Sequence, residues 1–175
     1  VIKERRNGQG AEVAGVTVEG KVAYLSLVQL QAGVTWQKSH YTRPEKWSKD
    51  SSVPAEKRIF RTPDWYGYFT ATYSPVKPLN IALSGTYTGS MIVQHMKGYI
   101  PKDMAVTTPD FFDMNLKISY DFSLYKFITL QLNAGVQNIF NAYQRDFDQG
   151  KERDSGYIYG PSMPRSYFAG AKLMF

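Results

Sequence analysis

Along most of this chain, hydrophobic and polar residues alternate one by one. Phe112, Met114, Leu116, Ile118, Tyr120 and Phe122 are separated by Asp113, Asn115, Lys117, Ser119 and Asp121. A period of two places the first set on one face of a β-strand and the second set on the other. Wound as a helix, the same residues would form no apolar stripe. Ile128, Leu130, Leu132, Ala134 and Val136 repeat the pattern against Thr129, Gln131, Asn133, Gly135 and Gln137. The short link Leu124-Tyr125-Lys126 between these segments predicts an antiparallel hairpin.

The same alternation runs upstream. Leu79, Ile81, Leu83, Gly85, Tyr87, Gly89, Met91 and Val93 oppose Asn80, Ala82, Ser84, Thr86, Thr88 and Ser90, which predicts one continuous strand. Trp65, Gly67, Phe69, Ala71 and Tyr73 alternate with Tyr66, Tyr68, Thr70, Thr72 and Ser74, and Pro75–Pro78 turns one segment into the other. Val28, Leu30, Ala32, Val34 and Trp36 form another segment, and Val16, Val18 and Val22 a shorter one. The last sets Tyr167, Ala169, Ala171, Leu173 and Phe175 against Ser166, Gly170 and Lys172, with Phe168 and Met174 out of phase. About seven strands are predicted.

The polar faces carry Thr, Ser, Asn, Gln and Gly with few charges, whereas the outer faces of a soluble sandwich would be rich in Lys and Glu. A wet lumen fits the observed composition. The apolar faces end in aromatic rings: Trp36, Trp65 and Tyr87 toward one rim, Tyr73, Tyr120, Phe122 and Phe127 toward the other, as in the interfacial girdles of a membrane barrel. The links at Ala23–Leu25, Pro75–Pro78 and Leu124–Lys126 are short, while Tyr41–Pro63, Gln94–Pro109 and Asn138–Pro164 are long and polar. Alternating short and long links are the rhythm of outer-membrane barrels, short turns periplasmic and long loops outside. The expected fold class is therefore all-β: an antiparallel transmembrane β-barrel segment in a Gram-negative outer membrane, with its C-terminus periplasmic.

Composition adjusts this reading in a few places. No run of about 18 apolar residues would make a membrane-spanning helix. The chain of 175 residues has no initiator Met and no signal segment, as expected of a mature product or a fragment. It has no cysteine, which removes disulfides, thiolate metal sites and thiol nucleophiles. The net charge is +6, but the cations gather in the predicted loops: Lys3, Arg5 and Arg6; Lys46, Lys49, Lys57, Arg58 and Arg61; Lys151 and Arg153. A solvated loop surface accounts for them, with contact to anionic lipopolysaccharide as the sharper alternative. No Gly-rich phosphate cradle and no basic stripe on the strands points to nucleic acid.

Two motifs near the end resemble the C-terminal part of TonB-dependent receptors. Asn133-Ala134-Gly135-Val136-Gln137-Asn138-Ile139-Phe140-Asn141, followed by Tyr143, resembles that family's penultimate strand and its exit into the last extracellular loop. Pro164-Arg165-Ser166-Tyr167-Phe168-Ala169-Gly170-Ala171-Lys172-Leu173-Met174-Phe175 resembles its final strand. Arg61-Thr62-Pro63-Asp64 and the strand carrying Gly15 and Glu19 sit where the family has similar features. The resemblance implies that residues 1–175 are about seven strands of a barrel of about 22, with the plug domain and TonB box outside this chain. It further implies active import of a scarce nutrient such as a ferric siderophore, haem or cobalamin, energised through TonB. The closing series lacks the long aromatic hallmarks of SusC-type glycan importers, which tilts the cargo toward a metal chelate or vitamin. A passive porin or adhesin is the alternative, and a soluble β-barrel ligand binder the third.

Candidate residues follow. Trp47, Phe60, Tyr157 and Tyr159 are amphipathic rings on predicted extracellular loops, suited either to a flat ligand or to loop packing. Glu19, Lys21, Asp113, Lys117 and Asp121 face the predicted lumen, where they would form a wall network against a plug. Tyr167, Leu173 and Phe175 form a closing strand of the kind that barrel-assembly machinery reads by strand addition. His40 and His95 are the only histidines and share no metal-ligand spacing, and no serine motif accompanies them. No enzyme, metal site or cofactor is expected. The expected partners are outer-membrane lipid and lipopolysaccharide, the assembly machinery, TonB through the rest of the protein, and a small nutrient.

Overall fold

The computed structural model of the chain describes residues 10–175. Lys3, Arg5 and Arg6 of the basic loop set lie outside the described residues. The strands are β1 (Ala11–Tyr24), β2 (Val28–Glu45), β3 (Glu56–Arg58), β4 (Trp65–Val76), β5 (Leu79–Thr88), β6 (Ile92–His95), β7 (Met104–Thr107), β8 (Phe111–Tyr125), β9 (Ile128–Gln137) and β10 (Ser166–Met174). One antiparallel sheet runs β1-β2-β4-β5-β8-β9-β10, with β3 paired onto β2, and β6-β7 is a separate hairpin. The sheet is open: among the described residues β1 and β10 each have a neighbour on one side only.

Register tests the two-face reading directly, because side chains of directly opposed residues share a face. Val22, Leu30, Ala71, Leu83, Leu116, Val136 and Tyr167 are linked across the sheet as one row of partners. The next face carries Lys21, Gln31, Thr70, Ser84 and Asn115 in the same way. Every strand therefore contributes its apolar set to one side and its polar set to the other. Trp36 and Trp65 are direct partners with ring centroids 6.3 Å apart, and Tyr120 and Phe122 lie 4.6 Å apart toward the opposite rim. Between Val28 and Trp36 runs about 26 Å of strand at ~3.3 Å per residue, or about 20 Å of height at a tilt of ~40°, most of an apolar band about 25 Å tall.

No second layer covers the apolar face. Val16, Val18, Val22, Leu30, Val34, Tyr73, Ile118 and Leu132 are all exposed. A contiguous apolar surface of this extent is foreign to a monomeric soluble protein, and suits a wall bathed in hydrocarbon. The buried hydrophobic residues gather instead at the end of the sheet that bears the long connections: Met91, Ile92, Val93, Phe111 and Tyr157.

Two sequence expectations are corrected. The strand predicted over Leu79–Val93 stops at Thr88. Its partner β4 begins at Trp65, whose carbonyl accepts the last bond from Gly89 N–H at 2.8 Å, so no ladder remains beyond that point. Ile92–His95 then pairs with Met104–Thr107. Conversely, β2 runs well past Gln37, because β1 and β3 continue to supply partners: Tyr41 opposes Ala11 and His40 opposes Arg58. The alternation of short and long connections stands as expected, with turns between Tyr24 and Val28, Val76 and Leu79, and Tyr125 and Ile128.

Candidate functional site: a cap of three joined loops

The three long connections, residues 46–64, 89–110 and 138–165, form one body at the end of the sheet. The first holds the second through Ser48 Oγ, which donates to Asp103 Oδ2 at 2.5 Å, and through Arg61 N–H to the Ile92 carbonyl at 2.8 Å. It holds the third through the Arg61 guanidinium, which donates to the carbonyls of Ile158 (2.8 Å) and Gly156. The second and third meet at His95, whose ring stacks on Tyr157 with centroids 3.7 Å apart and whose Nε2 contacts Asp148 at 2.9 Å. Met96 N–H donates to Asp154 Oδ2 at 2.8 Å across the same seam.

The third loop is organised by three amides. Asn138 leaves β9 in the left-handed region at φ 51°, a conformation Asn tolerates better than most residues. Its side chain is bonded at both ends: Nδ2 donates to the carbonyls of Ala142 (2.9 Å) and Met163 (2.8 Å), and Oδ1 accepts from Ala142 N–H (2.8 Å). The start and finish of the loop are thereby tied together. Asn141, also left-handed, accepts from Arg165 N–H at 2.9 Å just before β10. Gln144, 1% exposed, grips the tyrosine segment, donating to the Tyr157 carbonyl and accepting from Tyr159 N–H at 3.0 Å.

Both tyrosine hydroxyls donate to Asp146, Tyr157 at 2.7 Å and Tyr159 at 2.5 Å. Burial is the main force raising the pKa of both phenols, reinforced by the Asp146 carboxylate; Tyr159 is pushed up to about 12 and Tyr157 further still. Burial alone would raise Asp146 as well, but the hydrogen bonds it accepts from Tyr159 and Tyr157 hold it below its ordinary value. The phenols therefore stabilise the cap fully below their ordinary pKa of 10.0, and that contribution is lost as pH rises toward about 12. Asp146 contributes above its ordinary 3.8 and loses this as pH falls through its lower folded value. In difference titrations of tyrosinate absorbance, wild type minus Tyr159→Phe should show a phenol titrating near pH 12 rather than 10. A difference curve centred on 10 would mean that the ring is neither buried nor held by Asp146.

The candidate residues sort as follows. Tyr157 is not ligand-facing in this structure: it is 3% exposed and forms the cap core with Met91 and Val93. Burial of its ring against His95 explains the difference. Tyr159 is half-buried and lines an open cavity of about 350 Å³ with Phe111, Phe140, Tyr143 and Arg145. Trp47 and Phe60 meet edge to face at 5.3 Å, and Trp47 borders a second cavity of about 570 Å³ with Lys49, Lys97 and Asp103. Both cavities have the size of small-molecule sites.

Glu19, Lys21, Asp113, Lys117 and Asp121 fall on the polar face as expected from parity. Glu19 accepts from Tyr68 Oη at 3.2 Å, and Asp121 from Gln131 Nε2 at 2.7 Å. Asp113 Oδ1 is buried without a partner among the described residues. Tyr167, Leu173 and Phe175 are exposed along β10, at the free edge of the sheet. Sequence reading missed Asn138 as a loop tie, and missed Gln144, Asp146 and Asp148 altogether. Asn138 and Asn141 lay within the motif that drew attention to this exit, but their left-handed geometry was the unread signal.

No protein-family model and no curated protein matches the chain. Several solved structures share its fold. The crystal structure of the ferric-catecholate import receptor Fiu from E. coli K12, in its closed form, aligns with a TM-score of 0.64 and 22% identity, over 94% of this chain and 21% of that one. The FpvAI–pyocin S2 complex aligns with a TM-score of 0.61 and 15% identity, over 94% of this chain and 19% of that one. The chain thus spans about a fifth of the length of each. At these identities the likeness is one of fold: an all-β, antiparallel sheet, open among the described residues, that matches a stretch of the barrel in each of those structures. This is the fold that the closing motifs implied.

Proposed function

We propose that the chain is the C-terminal wall and outer-loop portion of an outer-membrane receptor that imports a scarce small nutrient, a ferric siderophore, haem or cobalamin, with energy delivered through TonB. The observation that carries this reading is the joining of three loops into one cap at a single end of a two-faced sheet. A passive pore gains little from loops locked to one another, whereas a capture site needs its contact residues held in place. The likeness to a ferric-catecholate import receptor supports the same class. In this reading the cap is extracellular and its two cavities contact cargo. The polar face with Glu19, Lys21, Asp113, Lys117 and Asp121 lines the lumen, and the plug and TonB box belong to the rest of the protein. β10 with Tyr167, Leu173 and Phe175 runs toward the periplasm and is read by the assembly machinery.

Growth tests this. A strain lacking the full-length gene should fail on one limiting ferric siderophore, haem or cobalamin source. The restored gene should rescue it only when TonB is present. Rescue without TonB would make the protein a passive barrel.

A further inference from the structure

A depression lies on the apolar face of the sheet, away from the cap cavities. It has a volume of about 560 Å³ and is almost wholly apolar, floored by Gly20 and Ala32 and walled by Val18, Leu30 and Phe69. Gly20 and Ala32 are register partners, so two minimal side chains sit side by side in a row that continues through Phe69, Gly85 and Met114. A Cβ added at Gly20 would meet nothing within 4 Å, which shows that the space above it is open.

The same strands carry cations where this face leaves the apolar band. Beyond the Trp36–Trp65 pair, register places Lys38 opposite Ala14, and His40 between Glu12 and Arg58, all with the parity of the apolar face. His40 Nε2 lies 3.4 Å from Glu12 Oε2, and Glu56 Oε1 accepts from Arg58 N–H at 3.0 Å, so both carboxylates beside the cations already have partners. Lys38 and Arg58 are exposed. From Ala32 to Lys38 is about 20 Å of strand at ~3.3 Å per residue, or about 14 Å of depth at a tilt of ~45°. That is one leaflet of a hydrocarbon core about 30 Å thick.

We infer that this face binds one outer-leaflet lipopolysaccharide molecule, with an acyl chain of its lipid A in the Gly20–Ala32 groove and a phosphate between Lys38 and Arg58. Charge complementarity and the match of groove-to-cation distance to one leaflet select this occupant over a second copy of the chain, which would bring like charges together. The inference rests on the membrane-barrel reading of the sheet. It differs from loop-borne charge attraction in requiring two sites that share β2, a groove against β1 and a cation pair with β3.

Native mass spectrometry of the full-length protein in detergent tests it, with lipid A as probe and phosphatidylglycerol of matched acyl length as comparator. Wild type should retain one lipid A in preference to phosphatidylglycerol. The double variant K38Q/R58Q should weaken retention about 30-fold, from about 1 kcal/mol per cation. Gly20→Leu, which fills the groove, should weaken it about tenfold. Lys38→Arg should retain lipid A, and heat-shift electrophoresis reports whether each variant is folded. Equal retention by folded wild type and variants, or equal binding of phosphatidylglycerol, overturns the lipid site while leaving the barrel intact. A protein that stays monodisperse without detergent would instead remove the barrel reading on which the site depends.

Discussion

Leu83→Arg is expected to lower folding stability in a bilayer by about 2–4 kcal/mol, and Ser84→Arg, one residue away, by less than about 1 kcal/mol. Leu83 sits in the middle of the apolar row between Ala71 and Leu116, while Ser84 sits in the polar row between Thr70 and Asn115. The two positions are adjacent on one strand between the same two neighbouring strands, and differ chiefly in the face they occupy. A charge at Leu83 must be desolvated in hydrocarbon or drag water and headgroups inward; at Ser84 it meets a wet lumen. Urea titration of the full-length protein in lipid vesicles measures both. Equal penalties, or a larger one at Ser84, would mean that lipid does not cover the apolar face.

Asn138→Ala is expected to release the third loop. The side chain is 3% exposed overall and makes three bonds to backbone groups, so its removal strands the Ala142 and Met163 carbonyls and the Ala142 N–H. Unsatisfied buried groups cost about 1–3 kcal/mol each when water cannot reach them. The left-handed φ of 51° adds about 1–2 kcal/mol for alanine. Partial rehydration leaves an expected local loss of about 3–5 kcal/mol. Hydrogen exchange over residues 138–165 should accelerate, and trypsin should cleave at Lys151 and Arg153 while the strands stay protected. Asn138→Gly separates the causes: it removes the backbone strain and should recover only that share. Unchanged exchange in Asn138→Ala would show that the loop is held elsewhere, by Gln144, Arg61, Asn141 and the His95–Asp148 contact.

The sheet and the cap differ in how far they could be read from the chain, and the reason is physical. Strand identity and facing depend on a period of two, a local property that Phe112–Phe122 or Leu79–Tyr87 displays without reference to any other segment. Once short turns make neighbours antiparallel, the register follows, because a slip of one residue would exchange the apolar and polar faces. Even so, the alternation ran past its structural limit at Met91 and Val93, because period two does not reveal where a partner strand ends. Those two residues keep the alternation but pack beneath Tyr157.

Sequence alone thus determined an all-β, two-faced, antiparallel meander with alternating short and long connections, and the motifs around Asn133–Asn141 and Pro164–Phe175 that resemble a receptor family. Tertiary structure alone decided that the long connections form one body. Its bonds join Ser48 to Asp103, Arg61 to Gly156 and Ile158, and His95 to Asp148 and Tyr157, pairs far apart in the chain and mostly polar. Hydrogen bonds between loop residues carry no periodicity, so nothing in the local pattern distinguishes Asp146, which accepts two phenols, from a solvated aspartate. Tertiary structure also turned Tyr157 from a ring expected to meet a ligand into the floor of the cap. It placed Gly20 beside Ala32, on the face that leads out to Lys38.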